Sequence, residues 1–128
     1  MSVVNFGNKP VGVILGGFYS EDRLKFSASV LEISGPIAGQ NGLVFQGFDL
    51  KISLEQRARF VRLQLYIFNP TAIEALDADG IPVSGGPIVF SQNVGLMPIE
   101  FNTVDPVIDS IRIVGGSYEN LLIRAYAQ

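Results

Sequence analysis

FVRLQLYIF, the stretch from Phe60 to Phe68, alternates with the two-residue period of a β-strand. Its aliphatic positions share one predicted face, which consists of Val61, Leu63, Leu65 and Ile67. The opposite face carries Arg62 and Gln64 together with three aromatic rings, which are Phe60, Tyr66 and Phe68. Asn69-Pro70 then ends the strand, because a proline restricts the residue before it and cannot donate to a ladder. The pattern predicts a strand with a buried aliphatic face and an aromatic outer face.

Segments of similar character fill the chain on both sides of this strand. Gly, Pro, Asn and Asp interrupt the sequence about every ten residues, which is the rhythm of an all-β domain. Leu24 to Val30 alternates clearly, and Leu31-Glu32-Ile33 continues the strand with a slip of register. Gly47 in the middle of Leu43 to Leu54 predicts a bulge or a bend. Further strands are predicted at Pro10–Phe18, Ala72–Asp77, Ile81–Val83, Ile88–Phe90, Leu96–Phe101, Val107–Val114 and Asn120–Tyr126. The expected fold is a two-sheet antiparallel β-sandwich of the jelly-roll kind, with roughly eight or nine strands in one domain over residues 1–128.

Composition narrows the classes of function. The chain has no cysteine and no histidine, so disulfides, thiolate metal sites and the commonest general base are excluded. A net charge of −3 gives no basic footprint for nucleic acid, and no apolar run approaches the roughly 20 residues of a membrane helix. The opening MSVVNFGNKP lacks the features of a signal peptide, so none is expected there. We expect no enzyme, no nucleic-acid partner and no membrane insertion.

The second half of the chain carries a family likeness. FVRLQLYIF is followed by IEALDADGIPV, PIEF, VIDSIRIVGG and ENLLIRAYA, a succession of strands and turns from Phe60 to Tyr126. This succession resembles bacterial and phage β-sandwich modules with a galactose-binding-like jelly roll. The resemblance implies a fold more than one function, because such modules include lectin-like, adhesive, toxin and virion proteins. Modules of this group often hold a structural calcium, for which the resemblance offers Asp105, Asp109 and Glu119.

Two kinds of loop residue are candidates for a site. Asp77-Ala78-Asp79-Gly80 begins like a calcium loop, but Ile81 and Val83 stand where further oxygen ligands would be needed. We therefore predict a hairpin turn in which the Asp side chains cap backbone N–H groups, with no metal and no cofactor required. Tyr19 and Tyr118 are expected on loops, where an aromatic ring can stack on a sugar. The alternative is that each ring folds back over the end of the sandwich.

Two non-catalytic functions remain. The first is a structural or adhesive subunit of a phage virion or a cell surface, which acts through protein–protein contacts with copies of itself or with other assembly proteins. Its interface would include Phe60, Tyr66 and Phe68, and the hydrophobic content of 48% favours it. The alternative is a lectin-like module that binds glycans through Tyr19 and Tyr118, although the chain has no tryptophan for stacking.

Overall fold

The computed structural model describes residues 1–37 and 39–128 of the chain. Within these residues it contains eleven strands and a single 3₁₀ turn at Phe6–Asn8. The strands are β1 (Ser2–Asn5), β2 (Ile14–Glu21), β3 (Leu24–Ile37), β4 (Gln40–Gln46), β5 (Asp49–Ala58), β6 (Phe60–Ile67), β7 (Thr71–Leu76), β8 (Pro82–Phe90), β9 (Gly95–Asn102), β10 (Ile108–Gly115) and β11 (Leu121–Ala127). The all-β prediction is therefore confirmed.

The eleven strands form one continuous sheet, and strand β3 links its two halves. Its beginning pairs with β5, from Leu24 opposite Leu54, and its later part pairs with β4, from Val30 opposite Gln46. The strand order is β8-β7-β10-β5-β3-β4-β11-β6-β9, with β1 added beside β11 and β2 beside β3. The two ends of this order approach each other, since the Asn102 N–H on β9 donates to Ser84 Oγ on β8 at 3.0 Å. The fold is an antiparallel β-sandwich of the jelly-roll kind, as the sequence predicts.

Glycine positions explain why the number of strands differs from the prediction. Gly47 separates β4 from β5 with φ +124°, and a Cβ atom there would lie 2.7 Å from Ser29 Oγ. The predicted bend at Gly47 is confirmed, and it makes two strands from one segment. Gly85 and Gly86 do the opposite, because they lie inside β8 near a register shift and join two predicted strands into one. The short strand β1 is not predicted from the sequence.

The core contains the aliphatic face that the sequence predicts for β6. All four aliphatic side chains of β6 are buried there, and so are Leu24, Phe26, Ile111 and Ile113. Leu121 and Ile123 lie outside this core: they form a separate buried group with Val44, here called the outer cluster. The pairing of β11 with β6 shifts between Leu122 and Arg124, and Leu122 faces the core instead. Three consecutive apolar residues on β11 give no alternation from which this orientation could be predicted.

The acidic turn between β7 and β8 has the predicted structure. Asp77 Oδ1 accepts hydrogen bonds from the backbone N–H groups of Asp79 at 2.9 Å and Ile81 at 3.0 Å. Gly80 adopts φ +77°, and the turn closes a hairpin. Asp109 pairs with Arg57 at 3.7 Å. Across residues 1–37 and 39–128, no three acidic side chains come together as a metal site, and no helix is long and apolar enough to span a membrane.

Candidate functional site

The outer face of β6 carries the three aromatic residues that the sequence assigns to it. Phe60, Tyr66 and Phe68 are each half-buried, and Phe68 lies directly after the end of β6. Arg62 and Gln64 lie on the same face, whereas the aliphatic residues of the strand face the core. The rings belong to two separate pairs. Phe60 meets Tyr126 of β11 with ring centroids 5.8 Å apart at 64°, and Tyr66 stacks on Phe68 at 5.8 Å and 6°.

The Tyr66–Phe68 pair is largely occupied by contacts within the domain. Tyr66 packs against the outer cluster of Val44, Leu121 and Ile123, and its ring lies parallel to that of Phe68. Much of the apolar area that the sequence would leave in water at this end is therefore covered by the chain itself. This contact weakens the reason for expecting a subunit interface at Tyr66.

At the other end of the face, the Phe60–Tyr126 pair borders a groove between β6 and β11. The groove has a volume of about 310 Å³ and is lined by Phe60, Arg62, Gln64, Arg124 and Tyr126. Strand register brings these side chains together, because Arg62 lies opposite Tyr126 and Gln64 lies opposite Arg124. We refer to these five residues as the β6–β11 groove.

The two arginines of the groove have different surroundings. Arg62 lies opposite Glu100 of β9, with Nε 3.6 Å from Glu100 Oε2, and both side chains are about half exposed. Arg124 lies between Gln64 on β6 and Asn5 on β1, neither of which is charged. Among the described residues, Arg124 forms no salt bridge. The groove therefore offers hydrogen-bond donors beside two aromatic rings.

This combination of groups is better suited to binding than to bond cleavage. Aromatic rings pack against the apolar face of a flat ligand, and planar polar side chains such as Arg and Gln hydrogen-bond its edges. The carboxylate beside the groove, Glu100, is paired with Arg62. Hydrolysis of a glycoside usually requires two carboxyl groups on either side of the bond that is cleaved. The site resembles a small recognition surface built on rigid strands.

Tyr19 lies in strand β2, and the loop predicted for it is wrong. The apolar segment that ends at Phe18 in the prediction continues as a strand to Glu21. The ring of Tyr19 is half-buried and packs near Phe6 at 6.1 Å and Phe26 at 6.4 Å, measured between ring centroids. Its hydroxyl donates to Glu21, and the Lys9 ammonium lies 5.2 Å from its ring centroid. These contacts leave little of the ring for a ligand.

Lys9 and Glu21 form a salt bridge beside Tyr19, with 2.7 Å between Lys9 Nζ and Glu21 Oε1. The hydrogen bond to Glu21 and the contact with Tyr19 raise the pKa of Lys9 above its ordinary value. Partial burial by itself favours the neutral form of Glu21, but hydrogen bonds from Lys9 and Tyr19 outweigh it and lower the pKa of that carboxyl. Both shifts stabilise the folded chain while the two groups are charged.

The salt bridge predicts a specific dependence of stability on pH. Because the pKa of Glu21 is lower in the folded state, its contribution is present above the ordinary value of 4.5 and disappears as the pH falls through the folded-state pKa. The difference in unfolding free energy between the wild type and Glu21→Gln should therefore be largest near neutral pH and shrink under acid. Urea titrations between about pH 3 and 7 measure it. Glu55→Gln, at an exposed carboxylate, is the control, and a difference for Glu21→Gln that is constant across this range contradicts the prediction.

Tyr118 does lie on a turn, between β10 and β11, and half of its surface is exposed. Its backbone N–H donates to the Phe45 carbonyl at 2.8 Å, and its hydroxyl donates to Gln46 Oε1 at 3.3 Å. This turn precedes β11, whereas Tyr126 lies near the end of that strand. Neither Tyr118 nor Tyr19 lines the β6–β11 groove.

Other exposed aromatic rings lie elsewhere on the surface. Phe48, at the bend between β4 and β5, is 73% exposed and lies against the Arg112 guanidinium at 5.7 Å. Arg112 in turn pairs with Asp49 at 2.8 Å. Phe18, on β2, is 58% exposed. Since Phe18 does not line the groove, it provides a matched control for substitutions there.

Tyr126 and Arg124 line the groove but are not predicted as site residues from the sequence. Alternation within LLIRAYA places both on the outer face of β11, which is the available signal. The missing information is that β11 pairs with β6, which lies more than fifty residues earlier in the chain. Phe60, which the sequence analysis expects at a protein interface, lines the groove.

Comparisons with known proteins support the fold. No protein-family model and no curated protein matches the sequence. The chain is similar to the low-affinity xylan-binding module CBM86 from the gut symbiont Roseburia intestinalis, with a TM-score of 0.50 and 16% identity over 89% of this chain and 93% of that chain. It is also similar to a glycoside hydrolase family 43 arabinoxylan arabinofuranohydrolase from Bacillus subtilis in complex with cellotetraose, with a TM-score of 0.42 and 16% identity over 80% of this chain and 26% of that chain.

The first of these similarities shows a common fold. Its identity of 16% is too low to transfer a ligand or a binding residue, and the lower TM-score of the second carries no argument. The β-sandwich part of the resemblance stated from the sequence is confirmed, in a fold that a carbohydrate-binding module also has. The phage part of that resemblance finds no support in the first of these comparisons.

Proposed function

We propose that this chain is a non-catalytic carbohydrate-binding module that holds a glycan in the β6–β11 groove. The observation that carries the proposal is the arrangement of Phe60 and Tyr126 beside Arg62, Gln64 and Arg124. A pyranose ring has an apolar face of C–H groups and an edge of hydroxyls, and the groove offers a partner for each. Glycan binding, which the sequence offers as the alternative function, is thus preferred to the role of a structural subunit.

The dimensions of the groove indicate a short binding segment. Its volume of about 310 Å³ lies at the lower end of the range for small-molecule sites, roughly 300–1,000 Å³. It can hold about one or two sugar rings and remains open to solvent, as binding along a polysaccharide chain requires. With two aromatic contacts and few hydrogen bonds, we expect a dissociation constant on the order of 1 mM for a short oligosaccharide.

The strands that form the groove hold its aromatic side chains in place before a ligand binds. Phe60 and Tyr126 are fixed by cross-strand pairing, and the Phe60 N–H donates to the Gln128 carbonyl at 3.0 Å. The opposite side of β6 is fully packed in the core. A preformed surface loses little conformational entropy when a ligand binds, so weak contacts suffice.

Xylan is the first polysaccharide to test, because the protein CBM86, which has the same fold, is a xylan-binding module. Binding to such a polymer would place this module outside the cell, on a surface or attached to a secreted protein. An assembly role at Tyr66 and Phe68 has less support, since these rings pack on each other and Tyr66 covers the outer cluster.

Calorimetric titration of xylo-oligosaccharides tests the proposal. Phe60→Ala and Tyr126→Ala should each weaken binding by about five- to tenfold, which corresponds to the loss of one aromatic contact of ~1–1.5 kcal/mol. Phe18→Ala removes an equally large exposed ring outside the groove and should bind as the wild type does. Wild-type protein that binds no member of a panel of neutral and acidic oligosaccharides at about ten times the expected dissociation constant contradicts the proposal.

A further inference from the structure

The β6–β11 groove is positively charged, although the protein as a whole is not. The chain has 9 Lys and Arg against 12 Asp and Glu, a net charge of −3. Arg62 and Arg124 both line the groove, and Glu100 is the carboxylate that pairs with one of them. A local excess of positive charge in an acidic protein favours an anionic ligand at this position.

Arg124 carries this excess. Its neighbours across the two adjoining strands are Gln64 and Asn5, so cross-strand pairing supplies no counter-ion. Within residues 1–37 and 39–128 it forms no salt bridge, whereas Arg62 is held by Glu100 at 3.6 Å. A guanidinium group binds a carboxylate through two parallel hydrogen bonds, a geometry that a neutral sugar hydroxyl cannot match.

We propose that the groove selects an acidic glycan, with the carboxylate of a uronic acid on Arg124 and a neighbouring sugar ring on Tyr126. The inference rests on the proposed function and adds the chemical class of the ligand. Arg124 and Tyr126 are two positions apart on β11, so their Cα atoms lie roughly 7 Å from each other on the same face. One sugar of the ligand can thus stack while its neighbour, or a side group, reaches the guanidinium.

A matched pair of ligands tests this selection. The probes are a xylo-oligosaccharide that carries a glucuronic acid side group and the same oligosaccharide without it. At low ionic strength the wild type should bind the acidic ligand about fivefold more tightly, as expected for one well-formed exposed ion pair. The advantage should decrease when NaCl is added, because salt screens exposed charges.

Two variants test whether Arg124 is responsible for the preference for the acidic ligand. Arg124→Gln should lose the preference, so that it binds the acidic and the neutral ligand with similar affinity. Arg57→Gln changes the net charge by the same amount, but Arg57 pairs with Asp109 and does not line the groove, so it should keep the preference. Its behaviour separates a local contact from a general effect of net charge.

The results that overturn acidic selection differ from those that contradict glycan binding. Equal binding of both ligands by the wild type, or a preference that Arg124→Gln retains, overturns the acidic selection and leaves the glycan-binding function intact. Binding of neither ligand overturns the inference, and the proposed function fails with it if no member of the oligosaccharide panel binds either.

Discussion

Leu63→Ala is expected to lower the free energy of unfolding by about 2–5 kcal/mol. Leu63 is fully buried in the middle of β6, opposite Ile99 of β9 and Ala125 of β11. Strands on both sides fix the backbone around it, so the core cannot easily collapse into the space that the shortened side chain leaves. The loss thus includes both the transfer of the removed atoms and the cost of the cavity. Equilibrium unfolding in urea measures it.

Val104→Ala is the control for this substitution. Val104 is 89% exposed, so its truncation should change the free energy of unfolding by less than about 0.5 kcal/mol. A loss below about 1 kcal/mol for Leu63→Ala would mean that the inner face of β6 is not packed as described. The groove on the opposite face of the same strand would then lose its rigid support.

Asn120→Ala should cost about 2–4 kcal/mol, since two hydrogen bonds of a buried side chain are lost together. Asn120 is 1% exposed; its Oδ1 accepts from the Phe68 N–H at 2.9 Å, and its Nδ2 donates to Thr71 Oγ1 at 2.6 Å. It therefore ties the loop between β6 and β7 to the start of β11. Removing it leaves a backbone donor without a partner in a site that water cannot easily reach.

Asn93→Ala is the control, because it removes the same type of side chain from a solvent-exposed position. Its Oδ1 accepts from the Gly95 N–H at 3.1 Å in an exposed turn, where solvent can replace the lost bond. A cost below about 1 kcal/mol is expected. Similar losses for the two variants in urea unfolding would contradict the role of burial at Asn120.

Parts of the fold are predictable from the sequence because local rules decide them. Alternation alone identifies the two faces of β6, since four aliphatic residues stand at every second position. The hairpin at Asp77 is equally local, as the carboxylate caps backbone groups two and four residues later. These features need no knowledge of distant partners.

Other parts depend on packing that the sequence does not display. Leu121, Leu122 and Ile123 are all apolar, so the shift in pairing near Leu122 determines which of them enters the core. Gly85 and Gly86 have the composition of a turn but lie within β8. Tyr19 follows a glycine pair and precedes charged residues, yet β3 pairs with this segment and extends it as a strand. Partner strands override local preference in each of these cases.

The candidate site also combines features that local alternation predicts with features that depend on distant strands. The outward position of Phe60, Arg62 and Gln64 follows from the alternation of β6. Their combination with Arg124 and Tyr126 requires the pairing of β6 with β11, which are distant in the chain. From the sequence, exposed aromatic area on β6 suggests a protein interface. With the second strand in place, the same area forms a groove with polar walls.

Backbone amide spectra of ¹⁵N-labelled protein, recorded during titration with a xylo-oligosaccharide that carries a glucuronic acid side group, show directly whether a glycan binds in the β6–β11 groove. Progressive shift changes are expected for the backbone amides of residues 60–64 and 124–126, the two segments whose outward side chains line the groove. The amides around Phe18, Phe48 and Tyr118 should remain unchanged and serve as internal controls. Shift changes that concentrate around Phe48 and Tyr118, or a spectrum that stays unchanged at about 10 mM ligand, would contradict a glycan site in the β6–β11 groove.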